Sequence, residues 1–105
     1  MKTAAGEVQL SEAELVEVYR VLRRYAPKAK VWAFGSRVRG GSRPYSDLDL
    51  AIEGRQPLSF EEMADLTAAF DEADLAFKVD LVDWATVGPS FRRIIEEQRV
   101  LLLGE

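Results

Sequence analysis

Apolar positions recur along this chain with two different periods, and the switches between them outline a fold. Ser11-Glu12-Ala13-Glu14 has the form of a capping box. After it Leu15, Val18, Leu22 and Tyr25 recur at steps of three and four, which predicts an amphipathic helix ending before Pro27. Lys30 to Phe34 is a short β-prone run, apolar on both faces, and reads as a buried strand. Gly35 breaks it, and a brief helix is expected from Ser36. The stretch from Arg39 to Tyr45 holds Gly40, Gly41, Ser42 and Pro44 and reads as an exposed loop. From Asp47 to Glu53 the period becomes two: Leu48, Leu50 and Ile52 face one way, Asp47, Asp49 and Glu53 the other.

A turn over 54–57 leads to a second capping box, Ser59-Phe60-Glu61-Glu62, and a long helix whose buried face is marked by Met63, Leu66, Phe70 and Phe77. Lys78 to Val82 is another strand, with Val79 and Leu81 inward and Asp80 opposite. Asp83, an odd number of residues from Asp80, falls on the other face and reads as a helix cap or a surface charge. Gly88-Pro89-Ser90 opens a last helix with Phe91, Ile94 and Ile95 inward. Val100 to Leu103 forms a final strand or a docking segment. This order of elements predicts a small α/β sandwich of helices on a sheet, with residues 1–105 as one domain.

Composition narrows the chemistry. With 105 residues there is room for one core, and 48% hydrophobic residues suffice to fill it. Without cysteine or histidine, disulfides and thiolate metal sites are excluded, and acid–base work near neutrality falls to carboxylates, lysine, tyrosine or metal-bound water. A net charge of −4 argues against a protein that coats nucleic acid. Yet Arg37, Arg39 and Arg43 share one glycine-rich stretch free of acids, which suits a small anionic ligand. No apolar run approaches the length of about 20 residues that crosses a bilayer, and the first six residues do not form a secretory signal. A cytoplasmic protein is the expectation.

Two segments carry candidate chemistry. Asp47 and Asp49, two residues apart on an alternating strand, point to one face and could converge on hard divalent cations. A calcium loop does not fit, because Leu48 and Leu50 lead into an apolar strand. Asp80 joins the pair if its strand lies beside theirs, and three such acids repel one another unless cations neutralise them. Upstream, Gly35 permits close approach of a ligand to the backbone, Ser36 offers hydroxyl and N–H at a helix start, and Arg37 and Arg39 bring guanidinium groups suited to phosphate. No Gly-Lys-Ser/Thr follows, so this is not a Walker motif. Ser46 is a candidate for orienting Asp47 by a hydrogen bond.

Gly35-Ser36-Arg37-Val38-Arg39-Gly40, Ser46-Asp47-Leu48-Asp49-Leu50-Ala51-Ile52 and Val79-Asp80-Leu81-Val82 together resemble the minimal nucleotidyltransferases of the DNA polymerase beta-like superfamily. The resemblance spans nearly the whole chain in element order. It implies an α+β fold with a mixed sheet packed against helices. It also implies two Mg²⁺ ions held by Asp47, Asp49 and Asp80, the β- and γ-phosphates of ATP held at Gly35 and Ser36, and Arg37, Arg39 and Ser46 close to the nucleotide. Many look-alikes of this size are antitoxins encoded beside a HEPN-domain ribonuclease toxin, which they neutralise by moving AMP from ATP onto a toxin tyrosine, by tight binding, or by both. A HEPN toxin is then the expected partner, with a hetero-oligomer or a homodimer as the assembly. The alternatives are an antitoxin that acts by binding alone and an enzyme that modifies a small molecule.

Overall fold

The computed structural model describes residues 8–104. In it the first helix, α1 (Glu12–Tyr25), begins at the expected capping box: the Ser11 hydroxyl accepts from the Glu14 N–H, and the Glu14 carboxylate accepts from the Ser11 N–H. Two orphan donors of the first turn are satisfied this way. Arg23 and Arg24 then complement the C-terminal end of the helix. Strand β1 (Lys30–Phe34) follows, then the single-turn helix α2 (Ser36–Arg39), strand β2 (Leu48–Glu53) and helix α3 (Phe60–Asp71). Strand β3 (Val79–Asp83), a 3₁₀ turn (Trp84–Thr86), helix α4 (Pro89–Gln98) and strand β4 (Val100–Leu103) complete the chain.

The four strands form one mixed sheet in the order β3-β2-β1-β4. β1 is antiparallel to both of its neighbours, while β2 and β3 run parallel, joined through α3 as a βαβ unit. Val31, Ala33, Leu48, Leu50, Ile52 and Val79 face α1 and α3, where Val18, Val21, Leu22, Leu66 and Phe70 complete the main core. The opposite face is covered only in part. There Phe34, Ala51, Trp84 and Ile95 form a second, smaller cluster under α4 and the 3₁₀ turn. The period-two reading of β2 therefore holds, with Leu48, Leu50 and Ile52 inaccessible to solvent.

Several expectations need correction. α3 stops at Asp71, so Phe77 lies in the following connection rather than on the helix. Asp71, Glu72 and Asp74 put negative charge where the helix dipole is already negative, and no basic residue offsets them. The Asp74 N–H donates instead to the Glu17 carboxylate on α1, at 3.0 Å. Phe77 is still buried, now beneath an arginine. Tyr25, Phe91 and Ile94 are exposed rather than inward. Successive helical residues point about 100° apart, so of Ile94 and Ile95 only one can be centred on the sheet, and Ile95 takes that place. Val100 to Leu103 is a strand, with Val100 and Leu102 buried. Among the described residues no helix is long and apolar enough to cross a membrane.

Asp83 proves to be a cap rather than a surface charge. It closes β3, is buried, and accepts from the N–H groups of Ala85 in the 3₁₀ turn (3.1 Å) and Leu58 ahead of α3 (2.8 Å). One carboxylate thus ties two connections to the sheet. Asp83→Ala is expected to lower stability by about 2 kcal/mol, because it strips a cap and leaves a part-buried N–H without an acceptor. Urea unfolding measures this, and a loss below about 0.5 kcal/mol would mean the cap is idle.

Candidate active site

The register of the parallel pair brings the acids together. Asp49 lies directly opposite Asp80, flanked by the pairs Leu48↔Val79 and Leu50↔Leu81. Residues so paired on adjacent strands sit about 4.8 Å apart and share a face. Asp47 stands two residues before Asp49, exposed at the entrance to β2. On its other side Asp49 is register partner to Phe34, the residue before Gly35. The sheet therefore sets the Gly35 turn and all three acids at one end of the partly covered face.

Gly35 belongs at this contact for a steric reason. Its φ is +85°, and a Cβ built on it would overlap the carboxylate of Asp49. Its carbonyl accepts from the N–H groups of Val38 and Arg39 and so starts α2. Its own N–H donates to Oε1 of Gln98 at 2.6 Å. With that amide engaged by Gln98, what Gly35 offers in this arrangement is the close approach of its backbone. Ser36, at the start of α2, is half-buried beside it.

Electrostatics single out Asp49. Its carboxyl is pushed up to about 6, first by burial, then by the charges of Asp80 and Asp47, with Arg39 pulling partly back. Asp80 pairs with Lys78 at 3.4 Å, an exposed contact two residues away on its own strand face. Among the described residues no three acidic side chains are already drawn into a cation cage. The donor set nonetheless fits a hard divalent ion, because it is all oxygen and a cation would relieve the burial and mutual repulsion that raise Asp49.

The two arginines of α2 separate completely. Arg39 is exposed and close enough to influence Asp49. Arg37 is only 4% exposed and turns away from the acids. Its Nε donates to the Ser46 carbonyl (2.9 Å), one terminal nitrogen to Gln9 (2.6 Å), and the other to Pro44 (2.9 Å) and Arg43 (3.4 Å), all backbone oxygens. The ring of Phe77 lies beneath, 4.0 Å from the guanidinium carbon. Expected at the phosphates, Arg37 instead clamps the loop that delivers Asp47. Ser46 is corrected in the same way: its hydroxyl accepts from the Arg43 N–H at 2.8 Å and shapes this loop, and Asp47 is not its partner.

Sequence reasoning missed Lys78 and Gln98. Lys78 had a signal, because Lys78 and Asp80 share a face by strand parity. Gln98 had none, being 63 residues from its partner. A groove of about 600 Å³ between Tyr25 and Pro57 lies past the other end of β2 and is distinct from the acid cluster.

With fold and site defined, comparison places the chain in a class. The polymerase beta nucleotidyltransferase family matches residues 17–105, and the chain belongs to that family. Among particular relatives, a probable protein adenylyltransferase, MntA, of Haemophilus influenzae is 44% identical over 100 residues, covering 95% of this chain and 88% of that protein. A tri-AMPylated Shewanella oneidensis HEPN toxin in complex with MNT antitoxin matches with a TM-score of 0.60 at 26% identity, over 87% of this chain and 70% of that one. A toxin–antitoxin structure with AMP-PNP matches with a TM-score of 0.66, also at 26% identity, over 87% of this chain and 73% of that one.

Two outcomes follow from this geometry. The folded chain holds the Asp49 proton more tightly than the free side chain, at about 6 against 3.8, so the linked stability is present at low pH and lost as pH rises through that window. The whole shift corresponds to about 3 kcal/mol, and solvent access to a half-exposed group reduces this to about 1 kcal/mol. Asp49→Asn should therefore stabilise the metal-free protein by about 1 kcal/mol at ~pH 7.5 and by almost nothing at ~pH 4, as read from urea titrations. For the arginines, Arg37→Met is expected to cost about 3 kcal/mol by freeing its carbonyl partners, while Arg39→Ala changes stability by less than about 0.5 kcal/mol. Equal losses in the two variants would contradict the division of roles.

Proposed function

We propose that this chain is an antitoxin that transfers AMP from ATP to a hydroxyl, a tyrosine in the first instance, of a partner HEPN-domain toxin. The reading treats residues 1–105 as one minimal nucleotidyltransferase domain in the cytoplasm, where ATP is at hand. The observation that carries it is the Asp49↔Asp80 pairing beside a glycine that leaves no room for a Cβ. The 44% identity to a probable protein adenylyltransferase supports the same activity, and the likeness to HEPN–MNT complexes supports the partner.

Asp47, Asp49 and Asp80 would hold two Mg²⁺ ions, which neutralise triphosphate charge and make an acceptor hydroxyl easier to deprotonate. The residues of the chain contribute the rest. Asp80 would take the hydroxyl proton, a role supported by its part-exposed position on an edge strand. The hydroxyl oxygen bonds to the α-phosphorus, the bond to the bridging oxygen breaks, and pyrophosphate leaves. Ser36 offers its hydroxyl to the phosphates, and exposed Arg39 places positive charge beside the departing group. Asp49 stays half-buried against Gly35, so its oxygen cannot wander during the step.

The test is intact mass of the partner encoded by the adjacent reading frame, after incubation with this protein, ATP and Mg²⁺. Added mass in whole adenylates is expected, and Asp47→Ala with Asp49→Ala should cut the rate by more than about 100-fold. A partner mass unchanged across a panel of nucleotides, with growth still rescued by the double variant, would assign neutralisation to binding alone.

A further inference from the structure

We infer that Gln98 is a positioning residue for the nucleotide site: its side-chain oxygen holds the Gly35 N–H and thereby fixes the turn against Asp49. The inference rests on the proposed nucleotide site and names a residue that serves it.

The placement follows from strand register. β4 pairs antiparallel with β1, Ala33 opposite Val100. Continued two residues beyond the strand ends, that register sets Gln98 opposite Gly35. Gln98 is the last helical residue of α4, so its backbone is turning and only its side chain spans the gap. The bond is 2.6 Å long and partly buried. Three contacts hold α4 in place, two just past its C-terminal end and one near its start. The guanidinium of Arg99 lies over the rings of Trp32 (3.9 Å) and Trp84 (4.9 Å), and Phe91 meets Phe34 edge-on at 5.8 Å.

Gly35 needs such a hold. Glycine populates positive φ readily but has the greatest freedom to leave it. With no side chain to pack, the turn is restrained through its backbone: the carbonyl by Val38 and Arg39, the amide by Gln98 alone among the described residues. If the amide is released the peptide can rotate, which disturbs both the start of α2 and the flush contact with Asp49. A group held within about half an ångström of its productive place requires a supporting contact of this kind.

The decisive variant is Gln98→Met, which keeps length and apolar stem but removes the acceptor oxygen. Gln98→Glu keeps an oxygen at the same reach and serves as the rescue. Amide hydrogen exchange of Gly35, followed by NMR without nucleotide, should speed up roughly tenfold or more in Gln98→Met and return towards the wild-type rate in Gln98→Glu. The Kd for Mg²⁺ with a non-hydrolysable ATP analogue should rise roughly tenfold in Gln98→Met, while exchange in β2 stays unchanged. Unchanged Gly35 exchange in Gln98→Met would overturn the assignment. Tighter nucleotide binding would also overturn it, because Gln98 would then be a competitor for the amide. A wild-type protein that binds no nucleotide would count against the functional reading instead, and the exchange arm would still decide the role of Gln98.

Discussion

Parallel pairing of β2 with β3 sets Asp49 opposite Asp80, and much of the rest of the structure accommodates that one juxtaposition. Burial penalises the charged form of Asp49, and repulsion from Asp80 and Asp47 adds to it, which is why Asp49 holds its proton to about 6. A sequence under pressure for stability alone would place an apolar or small residue there. The chain instead keeps the acids and secures them from behind with Leu48 and Leu50, both fully buried. Local violation of packing logic at one spot, inside an otherwise consistent core, is the usual mark of a functional site.

The loop between α2 and β2 shows how a small domain steadies a functional segment without regular structure. A buried guanidinium under four backbone carbonyls, backed by an aromatic ring, does what a short hairpin would do elsewhere. Gln9 joins the same network, since its N–H donates to the Arg37 carbonyl and its side-chain oxygen accepts from the Ser42 N–H. The loop thus delivers Asp47 from a fixed base. Charge that appeared in sequence as one cationic patch is divided between a structural clamp and an exposed group near Asp49.

At the other end of the sheet, α4 and β4 bind the turn to the scaffold from the opposite flank. Arg99 stacks on two tryptophans, one from β1 and one from the 3₁₀ turn, and so ties the end of the last helix to β1 and to the end of β3. β3 remains an edge strand, which leaves the Asp80 side of the site open to an approaching macromolecule. Membership of the polymerase beta nucleotidyltransferase family and an open, acid-lined sheet end are mutually consistent.

Periodicity and capping chemistry determined most of the fold in advance. Both capping boxes, the three long helices and the alternation of β2 and β3 depend on neighbours two to four residues apart, and such local rules survive without tertiary context. The shared facing of Asp47 and Asp49 follows from strand parity for the same reason. Tertiary structure alone decided which strand lies beside β2, that Arg37 turns inward while Arg39 stays out, and that Gln98 meets Gly35. Each of these depends on contacts between distant segments and on burial, and burial is a property of the assembled core that no short window of sequence contains.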